Sequence, residues 1–111
     1  MANDTPMTRS LAALEAEGYA VERLRRWDRK RRRRHRPFAF ADLLALKPGA
    51  PPLAVFLSAA ATDRLHGDRA LLAALPEVGA WLAGGNELQV WAFLKRRGRF
   101  ELLRLPVGPG E

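Results

Sequence analysis

Three groups of residues in this 111-residue chain have the types and spacing to do chemistry. The first is a single carboxylate. Asp42 follows Phe38 and Phe40 with a period of two and precedes Leu44, so a strand through this segment sets it on an apolar face. A carboxylate there is costly to bury unless it is paired, hydrogen-bonded or bound to a metal. The competing reading makes Asp42 the cap of a short helix over Leu43 to Lys47. The second group is Glu15 and Glu17, on an expected helix whose apolar stripe is Met7, Leu11 and Leu14. At 100° per residue they fall about 75° and about 85° to either side of that stripe. Either could turn toward a neighbouring site, and both also suit the polar edge of an amphipathic helix.

The third group is a block of cations. Ten of the fourteen residues from Arg23 to Arg36 are arginine or lysine. The whole chain has 19 basic and 12 acidic residues, a net charge of +7; outside the block 9 basic residues face 11 acidic ones. The protein is thus a nearly neutral domain carrying one concentrated cationic element. Such a field attracts a polyanion, nucleic acid first among them. The residues expected to touch it are Arg25, Arg26, Arg29, Lys30, Arg31, Arg32, Arg33, Arg34 and Arg36. Arg64 and Arg69 join them from the start of a later helix, where the backbone favours phosphate. Trp27, inside the block, suits either stacking on a base or anchoring the segment to the core. Lys95, Arg96, Arg97 and Arg99 form a smaller second cluster at the last turn. His66 has no catalytic partner visible in the sequence.

Composition narrows the classes. The chain has no cysteine and two histidines, His35 and His66. Disulfides, thiolate zinc sites and His-rich metal sites are therefore excluded. Hydrophobic residues make up 48% of the chain, enough for a core. The segment Met-Ala-Asn-Asp-Thr-Pro does not read as a secretory signal, and no stretch approaches the ~20 apolar residues of a membrane span. The expected location is the cytoplasm, with no membrane partner.

These residues need elements to position them. Thr5 and Pro6 are an N-cap and a first helical residue, and Gly18 ends the helix. A first strand starts at Tyr19 and runs toward Trp27; a second spans Phe38 to Leu46, with the basic block at or near the turn between them. Lys47 to Pro52 is a turn by composition. Leu53 to Ala59 is apolar on both faces, as a central strand is. Thr62 or Asp63 caps a helix to about Ala74, and Pro76 opens a shorter one burying Val78, Trp81 and Leu82. Glu87 to Lys95 alternates Leu88, Val90 and Ala92 against Trp91 and Phe93, and Arg97-Gly98 turns into a last strand ending at Leu105. The expected order is αβββα(α)ββ, a single α/β domain over 1–105 with a central sheet, three meandering strands and a flexible tail over 106–111.

That order resembles the PD-(D/E)XK nuclease superfamily, most of all its small phage-type and Holliday-junction-resolvase-like members. The matching pieces are Leu14-Glu15-Ala16-Glu17-Gly18-Tyr19, then Phe38 to Leu46 with Asp42, then Leu53 to Ser58, then Pro76-Glu77-Val78 and Val90-Trp91-Ala92-Phe93. The resemblance implies a restriction-endonuclease-like fold with a mixed sheet flanked by helices. It implies that Asp42, at the end of strand two, and Glu15 (or Glu17) on the first helix hold Mg2+ or Mn2+ for phosphodiester hydrolysis. Family members commonly pair to act on two strands, so it also implies a homodimer. The sequence departs from the family on strand three. The acid and lysine positions fall at about Phe56 and Ser58, and no residue from Pro48 to Thr62 is charged. Glu22 or Asp63 would have to replace the missing acid. The expectation is a DNA-binding protein on a nuclease-like scaffold with a weakened or lost metal site. The alternative is a non-enzymatic nucleic-acid-binding or ribonucleoprotein component in which Asp42 is structural.

Overall fold

The computed structural model describes residues 5–24, 26–28, 33–35, 40–58 and 62–108, with 26–28, 33–35 and 62–63 described by their backbone. The element order is α1 (Pro6–Ala16), β1 (Ala20–Arg23), β2 (Arg26–Asp28), β3 (Arg33–His35), β4 (Leu43–Leu46), β5 (Leu53–Leu57), α2 (Thr62–Ala73), α3 (Pro76–Ala83), β6 (Glu87–Arg96) and β7 (Arg99–Pro106). Five strands form one mixed sheet in the order β1-β4-β5-β6-β7, and β2 and β3 form a separate two-stranded sheet.

Local chemistry starts the helices where the sequence says it should. Thr5 Oγ1 accepts the Thr8 N–H at 3.2 Å and Thr8 Oγ1 accepts the Thr5 N–H at 2.9 Å, a reciprocal cap ahead of Pro6 that satisfies two otherwise orphaned donors. Pro76 opens α3, and the turn at Gly84 and Gly85 follows its end.

Strand alternation then divides the interior into two layers. On one face, Leu14 of α1 packs with Leu43, Ala45, Leu53, Val55, Leu57 and Trp91. On the other, α2 and α3 bring Leu65, Leu72 and Val78 onto Ala54, Leu88, Val90 and Ala92. β5 is buried along nearly its whole length, which fits its place as the middle strand.

The registers fix which ends of the strands lie together. β1 and β4 are antiparallel with Arg23 opposite Leu43; β4 and β5 are antiparallel with Leu43 opposite Val55. β5 and β6 are parallel with Leu57 opposite Trp91, and β6 and β7 are antiparallel, closing at Arg96 opposite Arg99. The end of β1, the start of β4, the end of β5 and the β6–β7 turn therefore share one end of the sheet.

The structure corrects the sequence reading in three places and decides between its two alternatives in a fourth. The basic block contains two short strands of its own, so β1, β4 and β5 form the meander and β2–β3 is an insertion in it. Strand two is Leu43–Leu46, and Phe40 and Ala41 precede it as buried residues of the α2–α3 layer; residues 36–39 lie outside the described residues. The short helix over Leu43 to Lys47 is replaced by that strand. Pro106 and Val107, expected in the tail, belong to the fold: Pro106 ends β7, and Val107, 4% exposed, donates its N–H to the Leu88 carbonyl at 2.9 Å; residues 109–111 lie outside the described residues.

Candidate nucleic-acid interface

Asp42 is fully buried, and it stands just before β4, not at the end of strand two as the resemblance has it. Three hydrogen bonds tie it to two neighbouring strands. Its carbonyl accepts the Leu24 N–H at 2.8 Å, its N–H donates to the Val55 carbonyl at 2.8 Å, and its Oδ2 accepts the Leu57 N–H at 2.7 Å. The β4–β5 ladder ends at Leu43 and Val55, so the carboxylate serves Leu57 where the ladder stops. Asp42 is thus a pin that joins the end of β1 to the end of β5. Leu24 and Asp42 are also close to the two roots of the basic insertion, so the same pin closes its base.

The other expected acids go elsewhere. Glu15 is exposed on α1, the helix that covers the Leu43 face of the sheet. Glu17 binds Arg104 of β7 through both carboxylate oxygens, with Arg104 Nη1 donating to Oε1 at 3.0 Å. That bond, and to a lesser extent the nearby charges of Arg104 and Lys47, hold the Glu17 carboxyl below its ordinary value against the opposing effect of burial. Arg104 also lies over the Trp91 ring, 4.7 Å from its centroid, and Lys47 Nζ donates to the Glu17 carbonyl at 3.2 Å. Glu17 therefore clamps the end of α1 to the sheet. Glu22 is exposed, and the Asp63 side chain lies outside the described residues.

The described side chains among these do not make a set that fits a hydrolytic metal ion. Asp42 is shut off from solvent on both oxygens, one of which holds a backbone amide. The strand-three acid position is Phe56, packed against the α2–α3 layer. Among the described residues no three His, Asp or Glu side chains converge. Ser58, at the lysine position, donates its hydroxyl to Asp68 Oδ2 at 2.6 Å, and Arg64 Nε lies 3.8 Å from Asp68 Oδ1. Sequence reading passed over Asp68; its spacing of four from Arg64 was the available signal.

Of the expected cations, Arg26, Arg33 and Arg34 lie in the β2–β3 hairpin, which pairs Arg26 with His35, Trp27 with Arg34 and Asp28 with Arg33. Arg25, Arg29, Lys30, Arg31, Arg32 and Arg36 lie outside the described residues. Arg64 is exposed beside Asp68. Arg69 is turned to the fold, its Nε donating to the Pro106 carbonyl at 3.0 Å. His66 is exposed on α2. Lys95, Arg96, Arg97 and Arg99 are all exposed at the β6–β7 turn.

No family model, curated protein or solved structure matches the chain. Among the described residues no helix is long and apolar enough to cross a membrane.

Proposed function

We propose that this protein binds DNA through its basic insertion, on a scaffold of the PD-(D/E)XK nuclease kind in which the strand-two acid has taken a structural task. The observation that carries the reading is the placement of charge. Ten cations fall in fourteen residues, while the rest of the chain is close to neutral. The chain leaves the sheet after β1, forms the β2–β3 hairpin within that block, and returns at Asp42. A concentrated cationic element rooted in a rigid sheet can follow a phosphate backbone without disturbing the core. The scaffold part is supported by the element order. The resemblance implies a mixed sheet flanked by helices, with a helix and three meandering strands first, and the described sheet is compatible with that order. Binding is favoured over cleavage because Asp42 is occupied by Leu57 and no acid or lysine stands beside it on β5.

Duplex binding measured by fluorescence anisotropy over a range of potassium chloride tests the reading. Affinity is expected to fall steeply with salt. Replacing Arg31, Arg32, Arg33 and Arg34 with serine should lower the slope by ~0.9 for each phosphate that is no longer neutralised. A slope that the replacement leaves unchanged contradicts the assignment. Equal or tighter binding to an RNA hairpin, with the same weakening in the variant, selects the ribonucleoprotein alternative.

A further inference from the structure

We propose that the β6–β7 hairpin is a second arm that grips the same nucleic-acid backbone as the basic insertion. This rests on the nucleic-acid reading above and extends it to a surface about sixty residues away in sequence.

The arm overhangs the sheet. β6 has ten residues and β5 has five. Pairing between them ends at Leu57 opposite Trp91. From Ala92 to Arg96 the ladder partner of β6 is β7, up to Arg96 opposite Arg99. The overhang leaves from the end of the sheet that holds Leu24 and Asp42, where the basic insertion is rooted. Its tip carries Lys95, Arg96, Arg97 and Arg99, all exposed. Glu101 offsets part of that charge, 3.4 Å from Arg96.

The turn itself indicates that charge is its purpose. Arg97 has φ 51°, and it is the sole residue other than glycine with positive φ among the described residues; Gly98 follows with φ 76°. A two-residue hairpin turn with both φ positive is best served by Asn-Gly or Asp-Gly, and arginine is poorly suited to the left-handed region. Arginine at this position weakens the turn and adds a cation at its outermost point.

The arm is also braced. Arg9 of α1 lies over the Phe100 ring, its Cζ 3.3 Å from the centroid, and Lys95 Nζ lies 5.8 Å from the same centroid. Arg9 is also 5.8 Å from the Phe93 centroid. Phe100 keeps 43% of its surface exposed. Cation–π contact of this kind holds a cation-bearing hairpin against α1. A braced arm holds its charges in place at the end of the sheet where the insertion is rooted, where both can meet one phosphate backbone.

The test uses Arg97→Asn and the triple variant Lys95→Gln/Arg97→Asn/Arg99→Gln, each with the basic block intact. Duplex affinity is measured against potassium chloride concentration, and thermal unfolding is followed in parallel. Arg97→Asn should lower the salt slope by ~0.9 and the triple variant by up to about 2.7. Arg97→Asn should unfold at or above the wild-type temperature, since asparagine suits the turn. A triple variant with the wild-type slope overturns the arm and leaves the insertion alone on the backbone. Reduced thermal stability in Arg97→Asn with the slope unchanged also overturns it, assigning arginine to the turn. Wild-type protein that binds no duplex removes the functional reading and this proposal together.

Discussion

At the scale of single residues, Asp42 decides between a catalytic and a structural account. The apolar surroundings of Asp42 were legible, but the period-two face was not the reason for its burial: Phe40 precedes the strand, Leu44 is half-buried, and Leu43 and Ala45 are the buried residues of β4. The partner of Asp42 was not legible, because the Leu57 amide lies fifteen positions on and backbone donors leave no trace in side-chain types. The structural account makes a definite prediction. Asp42→Ala leaves the Leu57 N–H buried without its acceptor and should cost about 1–3 kcal/mol; Asp42→Asn keeps an oxygen for that amide and should cost less. Millimolar manganese should leave the wild-type unfolding temperature unchanged. A manganese-dependent rise that Asp42→Ala abolishes would show a metal bound at this residue. Glu17 gives a second residue-scale prediction. Its folded pKa is depressed by Arg104, so its contribution is complete above the ordinary carboxylate value and is lost as pH falls through the lowered one. Both side chains are more than one-third exposed, which limits the pair to about 0.5 kcal/mol after solvent screening. Glu17→Gln should therefore destabilise the protein modestly near neutrality, and the difference should vanish in acid below the carboxylate range. A difference that persists there would assign the effect to packing.

At the scale of elements, periodicity carried most of the fold. Leu88, Val90 and Ala92 turn to one layer and Trp91 to the other, as their alternation indicates. Thr5-Pro6 and Pro76 mark helix starts because a side-chain cap, at Thr5, and a proline at the first helical position, at both, act locally. The reading failed where apolar character does not distinguish a strand from a buried turn. Phe40 and Ala41 looked like a strand and are core residues ahead of one. It also failed where side chains carry no periodicity. A run of arginines has no apolar face, so the β2–β3 pairing could be expected only as a turn. Proline and glycine dominate the segment from Pro106 on, so by composition it reads as tail. The Val107 hydrogen bond to Leu88 shows that a single buried valine outweighs that composition. Among strands, the overhang of β6 and β7 depended on where β5 stopped, which is a property of pairing and invisible in any one segment.

At the scale of the whole molecule, charge and topology point the same way. The insertion root, the start of β4, the end of β5 and the β6–β7 tip share one end of the sheet. The opposite end holds the Lys47 to Pro52 turn, the start of β6 with Glu87, and the end of α1, where Lys47 bonds the Glu17 carbonyl. One end thus carries the roots of the basic insertion beside the exposed Lys95, Arg96, Arg97 and Arg99, and the other is mixed, so on the proposed function a polyanion should approach along the sheet axis from the insertion side. Amide hydrogen exchange with and without a DNA duplex tests this most directly. The account predicts slowed exchange in peptides covering residues 25–36 and 95–99, with unchanged exchange in peptides covering 47–50 and 84–87. Protection at the 47–50 and 84–87 turns, or none at the basic insertion, would contradict it.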